Sequence, residues 1–424
     1  EINSTGLTTL AGGASNVRYN YDETTTTFSP VLAVNNKYAI YRTVLGVGDL
    51  TIVSTGGDAL NSTWTYSNGI LSTKTTPVNI NASVLENYLS SGPLTIESGN
   101  ITFNASVTNT AANALTCNGN TSLGNTITAT VNSAITNGGN IVLNTGNFVV
   151  NSSITGTASA SITVNATGNV STTGTTRRTI GTSGGNITIN ADSDANGTGQ
   201  MNLDYLTFNP SSGNTIIRGE TISWDIAADN QKPYINGTGS FTFESSDAAF
   251  GQAVYSYWFV IDQDANGISA YTFGKVGNTV NVYINSTFTI AGPINVYGGY
   301  VEVTGNLTSS ATGDILLKGI SGGQDVVVTS TISKTAGTGT LTMQSNGRVN
   351  TSGAITASGT GVLNVVMWSD FDGDNSGGGS TFSGAITTNG GDVWLGGSNT
   401  NGGSYTWKGL TVGDGPSIGG SNAN

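Results

Sequence analysis

A chain of 424 residues has room for two or three ordinary domains or for one elongated body. Only 9% of its residues are charged, against roughly 25% in ordinary soluble domains. With 13 Lys and Arg and a formal charge of −12, it has no basic stripe to neutralise phosphates, which excludes nucleic acid as a partner.

Gly, Ser, Thr and Asn stand where Lys and Glu are usual. Helix formers are scarce, and apolar residues are too frequent for a disordered linker, so the composition predicts an ordered, all-β, extracellular protein. The chain begins at Glu1 rather than Met, from which we expect that an N-terminal secretion signal has been removed.

Residues 1–95 carry no repeat. They hold two longer strand candidates within FSPVLAVNNKYAIYRTVLGVGDLTIV (Phe28–Val53), which predicts a non-repetitive N-terminal β segment acting as a cap or an assembly contact. From residue 96 a phrase recurs. SGNITFNAS starts at Ser98, AITNGGNIVLNTGN at Ala134, GGNITINAD at Gly184, GGYVEVTGN at Gly298, TGDILLKGI at Thr312 and AITTNGGDVWLGGSN at Ala385. GTLTMQSNG, from Gly339, is a looser copy. Each is a Gly, Asn or Asp turn followed by a short alternating run. Glycine is expected to supply a positive φ at the corner, and Asn or Asp to bond its own backbone there. Alternation then makes a strand, with Ile187 and Ile189 facing one way and Thr188 and Asn190 the other.

An isoleucine step recurs at Ile135, Ile154, Ile180, Ile332, Ile355 and Ile386, with neighbouring gaps from 19 residues (Ile135 to Ile154) to 31 (Ile355 to Ile386). Such gaps suit one coil of a parallel β-helix, or β-solenoid, whose stacked strands build a continuous apolar column. The predicted organisation is a β cap over 1–95, solenoid over 96–204, an aromatic-rich β insertion or broader coils over 205–297, solenoid over 298–412, and a flexible tail over 413–424. The densest apolar run is YSYWFVI (Tyr255–Ile261), far short of the ~20 residues of a membrane helix. No membrane-spanning segment is expected.

Val142, Leu316 and Trp394 fall opposite the inward aliphatics of their strands. They are expected either to lie under a loop or to form a lateral interface with other copies of the chain, and the low charge favours assembly. The one cysteine, Cys117, alternates with Leu115. It is read as a small buried hydrophobe or, as an odd cysteine in an exported protein, as half of an intermolecular disulfide. The dibasic step Arg177–Arg178 is read as two solvated surface charges.

At these phrases a resemblance appears. GGNITINA and GAITTNGGDVWLGG resemble the repeats of large bacterial surface proteins, the filamentous-haemagglutinin type of secreted adhesin, over residues 96–200 and 300–400. The resemblance implies a right-handed parallel β-helix exported to the cell surface. The sequence departs from that pattern in having no recognisable secretion domain and in being short. Its Lys-poor, Thr-, Asn- and Gly-rich composition is also similar to archaeal surface-layer and sheath proteins. Neither resemblance supplies catalytic residues.

Three acidic loops carry the strongest local signal. DSDANG (Asp192, Asp194, Asn196) and DQDANG (Asp262, Asp264, Asn266) share one pattern, and DFDGDN (Asp370, Asp372, Asp374) is close to it. Alternate oxygen donors beside a turning glycine suit Ca²⁺, although the twelfth position, where a bidentate Glu is wanted, holds Leu203, Phe273 and Thr381. A plain Asx-rich corner is the other reading. Sequons at Asn61, Asn104, Asn165, Asn236, Asn285 and Asn306 are candidate glycosylation sites, in a chain whose composition produces such triplets by chance.

With no His and one Cys, the usual general base and zinc or haem sites are missing, so an enzyme is not expected. A carboxylate-only glycosidase would need a close pair such as Asp225 and Glu244. The sequence thus points to an exported solenoid that self-assembles into a sheath, layer or filament. The alternatives are a solenoid adhesin binding glycans or another cell and, last, a polysaccharide-active enzyme.

Overall fold

The computed structural model describes residues 48–415, apart from 61–62, 75, 120–125, 224–229, 262–266, 322–324 and 375–377, and three strands nearer the N-terminus. Those three (Val17–Asp22, Thr27–Ser29 and Tyr38–Arg42) form a separate small sheet. From Leu50 onward the chain winds as a parallel β-solenoid of about 13 turns. Each regular coil lays one short strand on each of three faces. The first face is a single 15-stranded sheet ending at Val393–Gly396. The second is 8-stranded as far as Thr221–Ile222 and resumes as a 6-stranded sheet at Val254–Tyr255. The third is 7-stranded as far as Val260–Ile261 and resumes as a 5-stranded sheet at Phe288–Ile290.

The isoleucine step marks register. Ile135 pairs with Ile154, and Ile154 with Ile180; Ile332 pairs with Ile355, and Ile355 with Ile386. All six lie on the third face. Alternation sends every second residue inward, and stacking aligns those residues into columns. One column of the first face runs from Ile96 through Cys117, Leu143, Val164 and Ile189, all at most 1% exposed. Each such side chain contributes about 1.5–3 kcal/mol by leaving water, so a rung is stabilised only between its neighbours.

The recurring phrase has two physical bases, one of them expected. Gly184, Gly313 and Gly390 take the positive φ, at 108°, 153° and 98°, but Gly139, Gly185 and Gly391 do not. A Cβ at Gly139 would sit 2.3 Å from the Asn113 carbonyl, at Gly185 2.2 Å from the Ala160 oxygen, and at Gly391 2.2 Å from the Leu363 oxygen. Glycine is required because the backbone of the preceding coil occupies the space. The Asn or Asp that follows bonds the next coil rather than its own turn. The Asn140 Oδ1 accepts from the Ser161 N–H at 2.9 Å, the Asn186 Oδ1 from the Asn214 N–H at 2.9 Å, and the Asp314 Oδ1 from the Thr340 N–H at 2.8 Å.

The solenoid begins earlier than residue 96, since Leu50–Val53 and Val78–Asn81 already pair on the second face. Within this stretch lies an unforeseen helix, Ala82–Ser91, N-capped by Asn81 and burying Leu85 and Leu89. The Glu86 Oε1 accepts from the Thr108 N–H at 2.8 Å, so the helix covers the first strand of the third face, an edge that would otherwise invite pairing. Residues 205–297 are coils, because Thr215–Arg218, Ser240–Glu244 and Ala270–Phe273 continue the first face without interruption. At the far end a hairpin, Ser404–Trp407 with Leu410–Gly413, folds back on the outside of the last coils.

Gly139→Ala is expected to lower stability by about 1–3 kcal/mol, the range for forced overpacking. Gly92→Ala, with open space around its Cβ, is expected to stay within about 0.5 kcal/mol of the parent. Denaturant melts of the two variants check this.

Candidate functional site

The first face presents two outward columns. In one, Thr116, Val142, Thr163, Thr188 and Ile216 follow each other in register, and Leu316 stands between Asn295 and Thr342 further along. Val142 and Leu316 are half-buried and point outward as expected. In the other column asparagines form a ladder. Asn144 donates to the Asn118 Oδ1 at 2.8 Å, Asn165 to the Asn144 Oδ1 at 2.9 Å, and Asn190 to the Asn165 Oδ1 at 2.6 Å. Arg218 continues it, touching the Asn190 Oδ1 and pairing with Glu244 at 2.5 Å.

Trp394 fits the first of the two alternatives. It is half-buried and packs edge-on to Trp368, with ring centroids 6.4 Å apart, in a small core with Val366 and Val412 of the terminal hairpin. Of the sequons, Asn165 is committed on both sides to the ladder. Asn104, Asn285 and Asn306 are exposed and Asn236 is half-buried, whereas Asn61 lies outside the described residues.

The acidic loops separate. Asp192 and Asp370 occupy the same corner, between the first and second faces, with φ of 55° and 51°. Both are fully buried. A glycine presses on each: a Cβ at Gly199 or at Gly378 would meet the aspartate Cβ at 2.5 Å. The Asp192 carboxylate accepts from the Asn196 N–H at 2.9 Å, the Gly197 N–H at 3.1 Å and the Ser246 hydroxyl at 3.0 Å. The Asn196 Oδ1 is taken by the Thr198 N–H and hydroxyl, and its Nδ2 donates to the exposed Asp194. These contacts hold the turn and tie it to the coil of Ser246, in keeping with the Asx-corner reading. The loop of Asp262, Asp264 and Asn266 lies outside the described residues. Oxygens of Asp370, Asp372 and Asp374 all lie within 4.8 Å of one another, and that all-oxygen set fits a hard divalent cation. Burial, and then the charge of Asp374, raise the Asp372 carboxyl above its ordinary value.

Cys117 is 1% exposed and registers between Ile96 and Leu143. Burial pushes its thiol up to about 12. An intermolecular disulfide needs a surface thiolate, so that expectation fails and the buried-hydrophobe reading holds. Arg177 and Arg178 also differ from expectation. Arg177 lies over the Tyr234 ring at 3.8 Å and donates to the carbonyls of Leu206, Asn230 and Lys232. Arg178 is 8% exposed, and desolvation lowers its pKa. Both are bound into the coil stack. Glu244 is held by Arg218, and Asp225 lies outside the described residues.

Exposed Trp and Tyr on the solenoid flank belong to the adhesin alternative, and on the second face tyrosines form a row. Tyr255 stacks on Tyr283 at 4.7 Å, Tyr283 meets Tyr300 at 6.0 Å, and Tyr257 adjoins Tyr255 at 5.5 Å. The tyrosines were visible as an aromatic-rich stretch, but their alignment depends on coil lengths that the irregular loops conceal. No helix among the described residues is long and apolar enough to cross a membrane. No known protein family matches the chain, and neither does any curated protein or solved structure.

Two outcomes follow from these positions. Cys117 is expected to resist alkylation at pH 8 in the folded protein and to react fully in denaturant, as thiol labelling followed by mass spectrometry will show. The folded chain binds the Asp372 proton more tightly than the unfolded chain does. Stability from this group therefore falls as pH rises from the ordinary carboxylate range through the raised value, and is level above it. Asp372→Asn is expected to flatten that slope and to raise Tm at neutral pH by roughly 1–2 °C in chelator.

Proposed function

We propose that the chain is a structural protein of an extracellular surface, and that copies associate laterally through the first face. The observation that carries this reading is that the 15-stranded sheet runs unbroken, while its outward column through Val142, Ile216 and Leu316 is uncharged from Thr95 to Thr342. At ~4.8 Å per strand such a face is roughly 65 Å long. A long uncharged column with half-buried aliphatics is suited to repeated side-by-side contact, because little desolvation of charge opposes contact along it. The asparagine ladder beside it stiffens the face, as stacked amides do in cross-β assemblies. In this reading a Ca²⁺ ion at Asp370, Asp372 and Asp374 fastens the corner beside the terminal hairpin. A rise in Tm on adding Ca²⁺, absent in Asp372→Asn, is the result that would support it.

A solenoid adhesin is the second reading, favoured by the row of Tyr255, Tyr283 and Tyr300. The two readings differ in oligomeric state. Negative-stain electron microscopy and sedimentation of the purified chain are expected to show ordered lateral assemblies. Ile216→Lys and Leu316→Lys are each expected to shift these to single rods without lowering Tm by more than a few degrees, since both residues point outward. Single rods from the parent chain would reject assembly and leave the adhesin.

A further inference from the structure

The two ends of the stack differ. At the N-terminal end the first inward residues of each face are covered. Trp64, Leu71, Val78, Ile80 and Val107 are at most 3% exposed, and the helix Ala82–Ser91 lies over the first strand of the third face. At the C-terminal end the faces stop at Gly379–Phe382, Ile386–Thr387 and Val393–Gly396, each the last strand of its sheet. Register carries the inward columns into this coil. Thr351 pairs with Phe382, Ile355 with Ile386, Val365 with Val393 and Met367 with Leu395. One coil back, these residues are at most 4% exposed; in the last coil Phe382 is 51% and Val393 40% exposed, and Ile386 and Leu395 are half-buried. The terminal hairpin packs on the outward side instead, with Val366, Trp368 and Trp394.

We infer that this open end docks against the same end of a second copy, giving a tail-to-tail dimer in which the two apolar columns close on each other. An end coil with apolar inward residues needs a cap, and a row of sheet edges invites pairing. A two-fold axis across the contact reverses the chain direction, so the facing edges meet antiparallel and the patch is complementary to itself. Charge favours a copy as the occupant. The chain carries −12 overall, but from residue 375 to residue 424 its charged residues are Asp392, Lys408 and Asp414 alone, and Lys408 pairs with Asp392 at 2.6 Å. Two such ends meet with little repulsion although the bodies behind them are acidic. Among the described residues the N-terminal coil presents no open column to meet this one, so copies close as pairs rather than extending end to end. The contact is independent of lateral assembly, because it uses inward residues and strand edges and not the outward column of the first face.

Sedimentation equilibrium and negative-stain microscopy of the full chain carrying Leu316→Lys, in which lateral contact is opposed, test it. The expected species is a dimer of two 43.0 kDa chains, seen as separate rods of roughly 130 Å, twice the ~65 Å of one first face. The chain has no histidine, so gold bound to a hexahistidine tag added before Glu1 is expected at both outer tips of the rod. In the same background Val393→Lys and Phe382→Lys are each expected to weaken the dimer at least tenfold and to leave rods of half the length. Tm is expected to fall by no more than a few degrees, since both side chains are already exposed. Val393→Ile is expected to keep the dimer. So is Val276→Lys, which puts the same charge on a residue 73% exposed in a corner several coils earlier. Monomers in the Leu316→Lys protein, an undiminished dimer in Val393→Lys, dissociation by Val276→Lys, gold at one tip and the centre, or rods longer than two chains would each overturn the inference. If the first face does not mediate assembly, the parent chain itself gives the double-length rods, so failure of the lateral reading and failure of this inference produce different particles.

Discussion

The whole molecule depends on the closeness of successive coils. Strands that share hydrogen bonds lie ~4.8 Å apart, and at the corners this brings one backbone directly over another. Gly139, Gly185 and Gly391 sit where a Cβ would meet carbonyl groups of the preceding coil at 2.2–2.3 Å. Asn140, Asn186 and Asp314 then fasten each corner to the next coil by accepting its N–H. Together the two devices keep the inward residues in register from coil to coil, and the apolar column follows from that register.

The same constraint decides how polar groups enter the stack. Lys334 is fully buried at the corner leading back to the first face. Its ammonium donates to the Ser309 hydroxyl at 2.9 Å, to the Gly313 carbonyl at 2.8 Å and to the Ala311 carbonyl. At the equivalent inward position of the early coils Asn109 donates to Asn137 at 2.7 Å. Burying a charge is costly unless it is fully bonded, and here the coil below offers carbonyls at fixed positions. Asp192 is treated in the same way by N–H donors. Several of the chain's few charges are thus structural parts of corners.

Irregularity is concentrated in one region. The first face passes through residues 215–298 without a break, yet among the described residues the ladders of the second and third faces are each divided there. Large inward rings accompany the change: Phe241, Phe243, Tyr271 and Phe273 contact one another and Phe259. The aromatic row lies where the repeat is least regular, as expected for a feature that stacking alone does not require.

Much of the fold was legible in the residues themselves. Alternation marked inward and outward positions such as Ile187 and Thr188, because a strand has a period of two wherever it lies. The isoleucine steps marked coil length, because stacking demands the same residue at the same place. Other features depended on which coil lies over which. The burial of Cys117, the covering of Trp394 by a hairpin, the binding of Arg177 across two coils and the separate fates of Asp192 and Asp370 all involve partners some 15 to 55 residues away. Loop lengths vary from coil to coil, so sequence spacing does not reveal those partners. Local pattern determined the strands and their faces; only the tertiary stack decided which polar groups are built into the corners, because their partners come from other coils.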